Sequence, residues 1–193
     1  MFAYCGNNPV LNFDSTGTKN VSIFEYQLDR LSETDKIKYD VPLYDQGDLS
    51  LCWAYSQAMV AATYYENAPS QYWANCYARM LAVQENGWLF WNNPDWPTNM
   101  GRAHTVQSAK DLYKILATNG PAYALYGDGK DISSSKSQHM VVVTGIDCSS
   151  NTVYTNNPWG YAGRQSFTGF RTGVWQGSSQ YDGMSLLAVY PLR

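Results

Sequence analysis

Gln46-Gly47-Asp48-Leu49-Ser50-Leu51-Cys52-Trp53-Ala54 is the stretch from which the rest of the chain is read. A polar, glycine-containing turn runs into a cysteine. The residues that follow are small and apolar on nearly every side: Trp53, Ala54, Ala58, Met59, Ala61, Ala62 and Tyr65. That pattern predicts a buried helix over residues 51–66, with Ser50 as its N-cap. Cys52 then occupies the first turn, at the positive end of the helix dipole, where a thiolate is favoured and a substrate has access. A cysteine that merely fills a helical core reads the same way in isolation, so a nucleophile assignment requires partners.

Working outward, residues 39–44 alternate and contain Pro42, which predicts an edge strand or an extended segment. Residues 21–38 are expected to form a short helix, and residues 1–20 a polar, turn-rich lead-in. Downstream, Trp73, Cys76, Tyr77, Met80 and Leu81 have the spacing of one apolar face, predicting a helix over 70–85. Residues 87–104, rich in Trp, Asn and Pro, read as an irregular loop. A third helix is expected over 105–118, stopped by Asn119-Gly120-Pro121. Beyond Pro121 the pattern changes to strands at 122–126, 139–146, 151–157 and 186–190, with turns and short strands over 160–183. Helices before residue 118 and strands after 121 predict an α+β protein with two lobes. Residues 1–38 are taken as an N-terminal extension. Residues 39–193 are taken as one catalytic domain, its helical lobe about 46–118 and its β lobe about 119–193.

Only two histidines exist, His104 and His139. His139 opens the apolar strand after a flexible polar loop (residues 127–138), which suits a ring at a cleft edge. His104, in a loop before the third helix, reads as solvent-facing or capping. An imidazole that takes a thiol proton needs an acceptor to fix its tautomer. Asn157, in Asn156-Asn157-Pro158-Trp159-Gly160, lies one strand beyond, where a hairpin brings it to His139 and Trp159 covers the pair.

Taken together, Gln46, Cys52-Trp53-Ala54, His139 and Asn157-Pro158-Trp159-Gly160 resemble, in residue type, order and spacing, the papain-like cysteine proteases. Gly120-Pro121 before a strand and the final strand at 186–190 fit the same family, so the resemblance spans about residues 40–190. Val41-Pro42-Leu43 and Asn-Pro-Trp are closer to bacterial branches: staphopain-like proteases, bacteriocin-leader peptidases and effector proteases. The resemblance implies a papain-like two-lobed fold, an N-terminal helical lobe and a C-terminal antiparallel β lobe with the site between them. It implies Cys52 as nucleophile, His139 as base, Asn157 as its orienting acceptor and the Gln46 side chain as an oxyanion donor. Trp53 and Trp159 flank the site, and the rest of the substrate-binding surface is left open. A secreted or exported bacterial protein is favoured. The cysteine that plant and lysosomal members carry just upstream of the nucleophile is absent, and Gln138 stands before the histidine where a small residue is common.

The bulk composition agrees. With 193 residues, 45% apolar and only 15% charged, the chain is long enough for one buried core. Aromatics reach 15%, including 16 Tyr and 7 Trp, which suits a surface that grips peptides. Net charge is −3 and the 13 Lys and Arg form no basic run, so a nucleic-acid partner is not expected. No apolar stretch approaches the roughly 20 residues of a membrane span. The N-terminus lacks the features of a signal peptide. The four cysteines, Cys5, Cys52, Cys76 and Cys148, show no metal-ligand spacing, so neither a metal nor a cofactor is expected. The resulting expectation is a peptidase that hydrolyses peptide bonds through a Cys–His–Asn thiolate mechanism with a thioester intermediate. The alternatives are another thiol acyl enzyme (transglutaminase, deamidase or deconjugase) or an inactive papain-like binding module.

Overall fold

The computed structural model describes residues 12–13, 21–22, 36–65, 67–84, 100–173 and 183–192. The strands are β1 (Asn12–Phe13), β2 (Val21–Ser22), β3 (Lys36–Lys38), β4 (Ala122–Gly127), β5 (Gln138–Asp147), β6 (Thr152–Asn157), β7 (Tyr161–Ser166) and β8 (Ser185–Tyr190). The helices are α1 (Cys52–Ala62), α2 (Gln71–Gln84), α3 (Ala109–Asn119) and α4 (Phe167–Thr172). β1 and β2 form their own antiparallel pair. The other strands make a six-stranded antiparallel sheet in the order β7-β6-β5-β4-β8, with β3 also on β5.

β5 is buried from His139 to Ile146. Its branched and small apolar residues suit a pleated strand covered by neighbours. One edge of β5 pairs with β4, from Gln138 opposite Gly127 to Val143 opposite Ala122. The same edge continues on β3, with Lys36 opposite Asp147. The other edge pairs with β6 from Asp147 only as far as Val142. The expected hairpin between β5 and β6 is closed by Asp147, whose carboxylate accepts from the Ser149 and Ser150 N–H groups, both at 3.1 Å.

α1 follows its sequence pattern: residues 53–60 and 62 are buried, and the helix packs between α2 and β5. Its N-cap is Leu51 with no side-chain cap, so Ser50 does not play the role expected of it. α3 starts later than expected because Ser108 and Asp111 form a capping box that fixes the first turn. Leu112 and Leu116 are its buried face, and Gly120, at φ 82°, stops it as the Gly-Pro pair implies. Tyr39 ties the segment after β3 to this helix by donating to the Leu116 carbonyl at 2.7 Å.

Two expectations need correction, and two others fall largely outside the described residues. Of the segment 21–38, expected to form a short helix, residues 21–22 and 36–38 are β2 and β3, and residues 23–35 lie outside the described residues. β3 joins, through β5, the sheet formed by the later strands. The buried face of α2 is not the large apolar stripe. Ala74 and Ala78 are fully buried, whereas Cys76 is exposed and Met80 is 50% exposed. Small residues let α2 approach α1 closely, and Trp73, Tyr77 and Leu81 pack at its margin. In the Gly-rich stretch after β7, α4 forms where turns were expected. Ser166 accepts from the Gly169 N–H at 3.0 Å, Phe167 and Phe170 are buried, and Gly173 ends the helix at φ 71°. Most of the irregular loop expected over 87–104 lies outside the described residues. Its end is held to the sheet by bridges from Met100 to Leu192 and from His104 to Val189. No helix among the described residues is long and apolar enough to cross a membrane.

The close α1–α2 approach through Ala78 gives a stability test. Ala78→Leu should cost about 1–3 kcal/mol by overpacking. Met80→Ala should change stability by no more than about 0.5 kcal/mol. Urea unfolding of both variants checks this, and the reverse ranking would restore the apolar stripe as the buried face.

Candidate active site

Cys52 lies where α1 meets β5. The thiol is half-buried. The backbone N–H groups of Met140, Trp53 and Cys52 itself face the sulfur. The Cys52 and Trp53 amides belong to the first turn of α1 and have no partner within the helix. They favour a thiolate, as the helix-terminus argument requires. Burial nevertheless outweighs them and pushes the Cys52 thiol above its usual value. The expectation of a thiol lowered by its position alone is therefore corrected by desolvation.

His139 is the second residue of β5 and is 4% exposed. Its Nε2 is 3.1 Å from Asn157 Oδ1. Two contacts fix which end of the Asn157 amide is oxygen. The Trp159 N–H, which can only donate, reaches Oδ1 at 3.0 Å. Nδ2 donates to the Tyr161 hydroxyl at 2.9 Å. Because Oδ1 only accepts, His139 carries its proton on Nε2, and in the neutral ring Nδ1 is the bare, basic nitrogen. The Trp159 ring lies 4.6 Å from the imidazole, centroid to centroid, tilted by 39°. Burial lowers His139 to about 4, and the Asn157 hydrogen bond opposes the shift. Thiol and imidazole are thus both biased toward their neutral forms.

Asn157 is fully buried, and its turn is clamped to the loop before Cys52. The Gln46 N–H donates to the Pro158 carbonyl at 2.6 Å, and Asp45 bridges Trp159. Gly160 has φ 82°, and a Cβ there would meet the Asp45 carboxylate at 2.9 Å, so the turn needs glycine twice over. The Gln46 side chain is buried on the same loop. Its Nε2 donates to the Leu49 carbonyl, and its Oε1 has no hydrogen-bond partner among the described residues. The other flanking residue, Trp53, is 6% exposed and belongs to the core.

The structure therefore brings together Cys52, the backbone next to His139, Asn157 and Trp159. His104 stands apart, exposed and bound to β8 only through its backbone. Tyr161 was not anticipated. It is the cross-strand partner of Asn157, so reading Pro158-Trp159-Gly160 as a hairpin turn identifies it. The loop before His139 is braced rather than loose. Asp128 Oδ1 accepts from Ser135 Oγ, the Lys136 N–H and the Ser137 N–H at 2.8–3.1 Å, and Gln138 Nε2 donates to the Ile132 carbonyl at 2.8 Å. Among the described residues no group of three His, Cys, Asp or Glu side chains is placed to hold a metal ion.

Residues 38–182 match the model of the Peptidase_C39 like family, which covers the described parts of α1, β5, β6 and every site residue named above. No curated protein matches the chain.

The buried imidazole has a stability consequence. Its folded value, about 4, lies below the ordinary 6.5, so the unfolded chain binds the proton more readily. The contribution is present in full above pH 6.5 and is lost as pH falls toward 4. Over that window the wild type should lose about 3 kcal/mol more stability than His139→Gln. Urea unfolding at pH 7 and pH 4 measures the difference. Parallel losses in the two proteins would mean that His139 is not buried neutral.

Proposed function

The chain belongs to the Peptidase_C39 like family, and from that membership we propose that it hydrolyses peptide bonds through Cys52, His139 and Asn157. The observation that carries the reading is the locked Asn157 amide. It holds the His139 ring with Nε2 protonated and leaves Nδ1 to serve Cys52. As both groups favour neutrality, the thiol transfers its proton when the substrate arrives, not beforehand. The Cys52 sulfur attacks the carbonyl carbon while Nδ1 takes the thiol proton. The resulting oxyanion is met by first-turn backbone N–H and by the second N–H of Gln46 Nε2. One such donor is worth about 10²–10³ in rate. The imidazolium then protonates the leaving amine. Water attacks the thioester while His139 takes its proton; the acid leaves, and the imidazolium returns that proton to the Cys52 sulfur to regenerate the thiol.

Hydrolysis is favoured over transfer to an amine by the surroundings of His139. The loop from Asp128 to Ser137 is polar and largely exposed, with half-buried Ile132 as its only large apolar side chain. A wall that shuts out water in favour of an amine is not offered by that loop. Mass analysis of a peptide mixture incubated with the protein and excess primary amine tests the class. Cleaved backbones that vanish with Cys52→Ala and His139→Ala, but persist with His104→Ala, are expected. Amine adducts on glutamine side chains with uncut backbones would instead assign a transferase.

Orientation of the imidazole gives a finer test. Asn157→Ala should lower kcat by about tenfold or more with KM nearly unchanged, because the residue acts on the chemical step. Tyr161→Phe should lower kcat in the same sense but less, since it leaves Nδ2 of a correctly placed amide without an acceptor. A change confined to KM in either variant would remove that residue from this role.

A further inference from the structure

A second concave site adjoins the loop that carries Gln46. It is a cavity of about 300 Å³ lined by Asp45, Gln46, Leu49, Gln71, Asn75 and Arg79, with Tyr55 behind them. Gln71, Asn75 and Arg79 recur every fourth residue of α2 and so share one face. Their hydrogen bonds sort donors from acceptors. Asn75 Oδ1 accepts from the Tyr55 hydroxyl at 2.9 Å and from Gln71 Nε2 at 2.7 Å. Gln71 Oε1 accepts from the Asp45 N–H at 3.0 Å, and its Nε2 also donates to the Asp45 carbonyl at 2.8 Å. Asp45 Oδ1 accepts from the Gly47 N–H at 2.8 Å, while Oδ2 lies against Gly160.

On this wall the Asn75 and Gln71 side-chain oxygens, the Tyr55 hydroxyl and Gln71 Nε2 are engaged, while Gln46 Oε1 is an acceptor without a hydrogen bond among the described residues. Two donor groups are also left over. With both lone pairs of Asn75 Oδ1 occupied, the amide is fixed and Nδ2 has no partner among the described residues. Arg79 likewise makes no ion pair or hydrogen bond among the described residues, although Asp45 lines the same cavity. A planar guanidinium beside a fixed amide donor complements a planar anion with two acceptor oxygens.

We propose that this cavity binds a carboxylate of the peptide substrate, held by Arg79 and the Asn75 amide; the assignment rests on the peptidase reading, which supplies the peptide. The carboxylate is either a free C-terminus or an Asp or Glu side chain. Bound there, it sets the register of the chain relative to Gln46, so the site acts as a specificity determinant rather than in the chemistry.

Binding can be read without turnover in the full chain carrying Cys52→Ala. Three peptides of equal length and otherwise equal sequence are titrated by NMR: a free acid without acidic side chains, its C-terminal amide, and the amide with one Glu. At least one acid should bind about three- to tenfold tighter than the plain amide, and the advantage should shrink in high salt. Arg79→Gln, an exposed substitution, should abolish it. The acid that holds the advantage identifies the source of the carboxylate. Equal or undetectable binding of all three peptides overturns the proposal, as does an advantage that survives Arg79→Gln. Failure of the unsubstituted protein to cut any peptide would defeat the peptidase reading separately, because the binding comparison does not depend on turnover.

Discussion

Met140 offers both of its backbone groups to α1: its N–H faces the Cys52 sulfur, and its carbonyl accepts from the Ser56 hydroxyl at 3.2 Å. The reason lies in the unequal lengths of two strands. β6 pairs with β5 no further than Val142, so the first residues of β5 have no ladder partner on that side. Buried backbone groups must be satisfied. The start of α1 fills the place that β6 vacates, and by doing so it sets Cys52 beside Met140, the residue next to His139. A longer β6 would satisfy Met140 and leave Cys52 with nowhere to dock.

The same geometry explains the electrostatics. A thiol and an imidazole taken out of water each resist ionising, so the thiol rises and His139 falls. On the proposed mechanism, mutual attraction offsets part of that cost when a proton moves from one to the other. What the protein must supply is orientation, and it does so with neutral groups. Asn157 is held by the Trp159 N–H and the Tyr161 hydroxyl, and Trp159 covers the imidazole. A neutral acceptor fixes the tautomer without adding a second buried charge.

Which parts were legible in the sequence follows from how local their causes are. The burial of α1 was written in its composition, and the stop at Gly120 in one dipeptide. The meeting of His139 and Asn157 followed from two strands and a turn. Ser50 failed as a cap because the helix begins at Cys52, with Leu51 before it. The α2 face was misread because apolar size was taken as the guide to burial. In a close helix pair the small residues, Ala74 and Ala78, occupy the contact. α4 was hidden by glycine, although Ser166, the Phe167–Phe170 spacing and Gly173 were local signals for it. The direction of the thiol shift was beyond sequence altogether, because desolvation depends on everything packed around the group.

The clamp between the Gln46 loop and the Pro158–Gly160 turn is a short seam joining segments that are distant in the chain. Held by so few backbone contacts, such a seam is expected to open at lower free energy than the helices or the ladders. Loosening reaches it before helices or ladders are lost. A species opened there keeps its ellipticity and its core. Asn157 also keeps Trp159 and Tyr161 within the hairpin, so what is lost is the placement of the Gln46 loop beside the imidazole. Secondary structure is therefore a poor proxy for a working site here, and amide exchange at Gln46 reports the difference between a folded molecule and an aligned one.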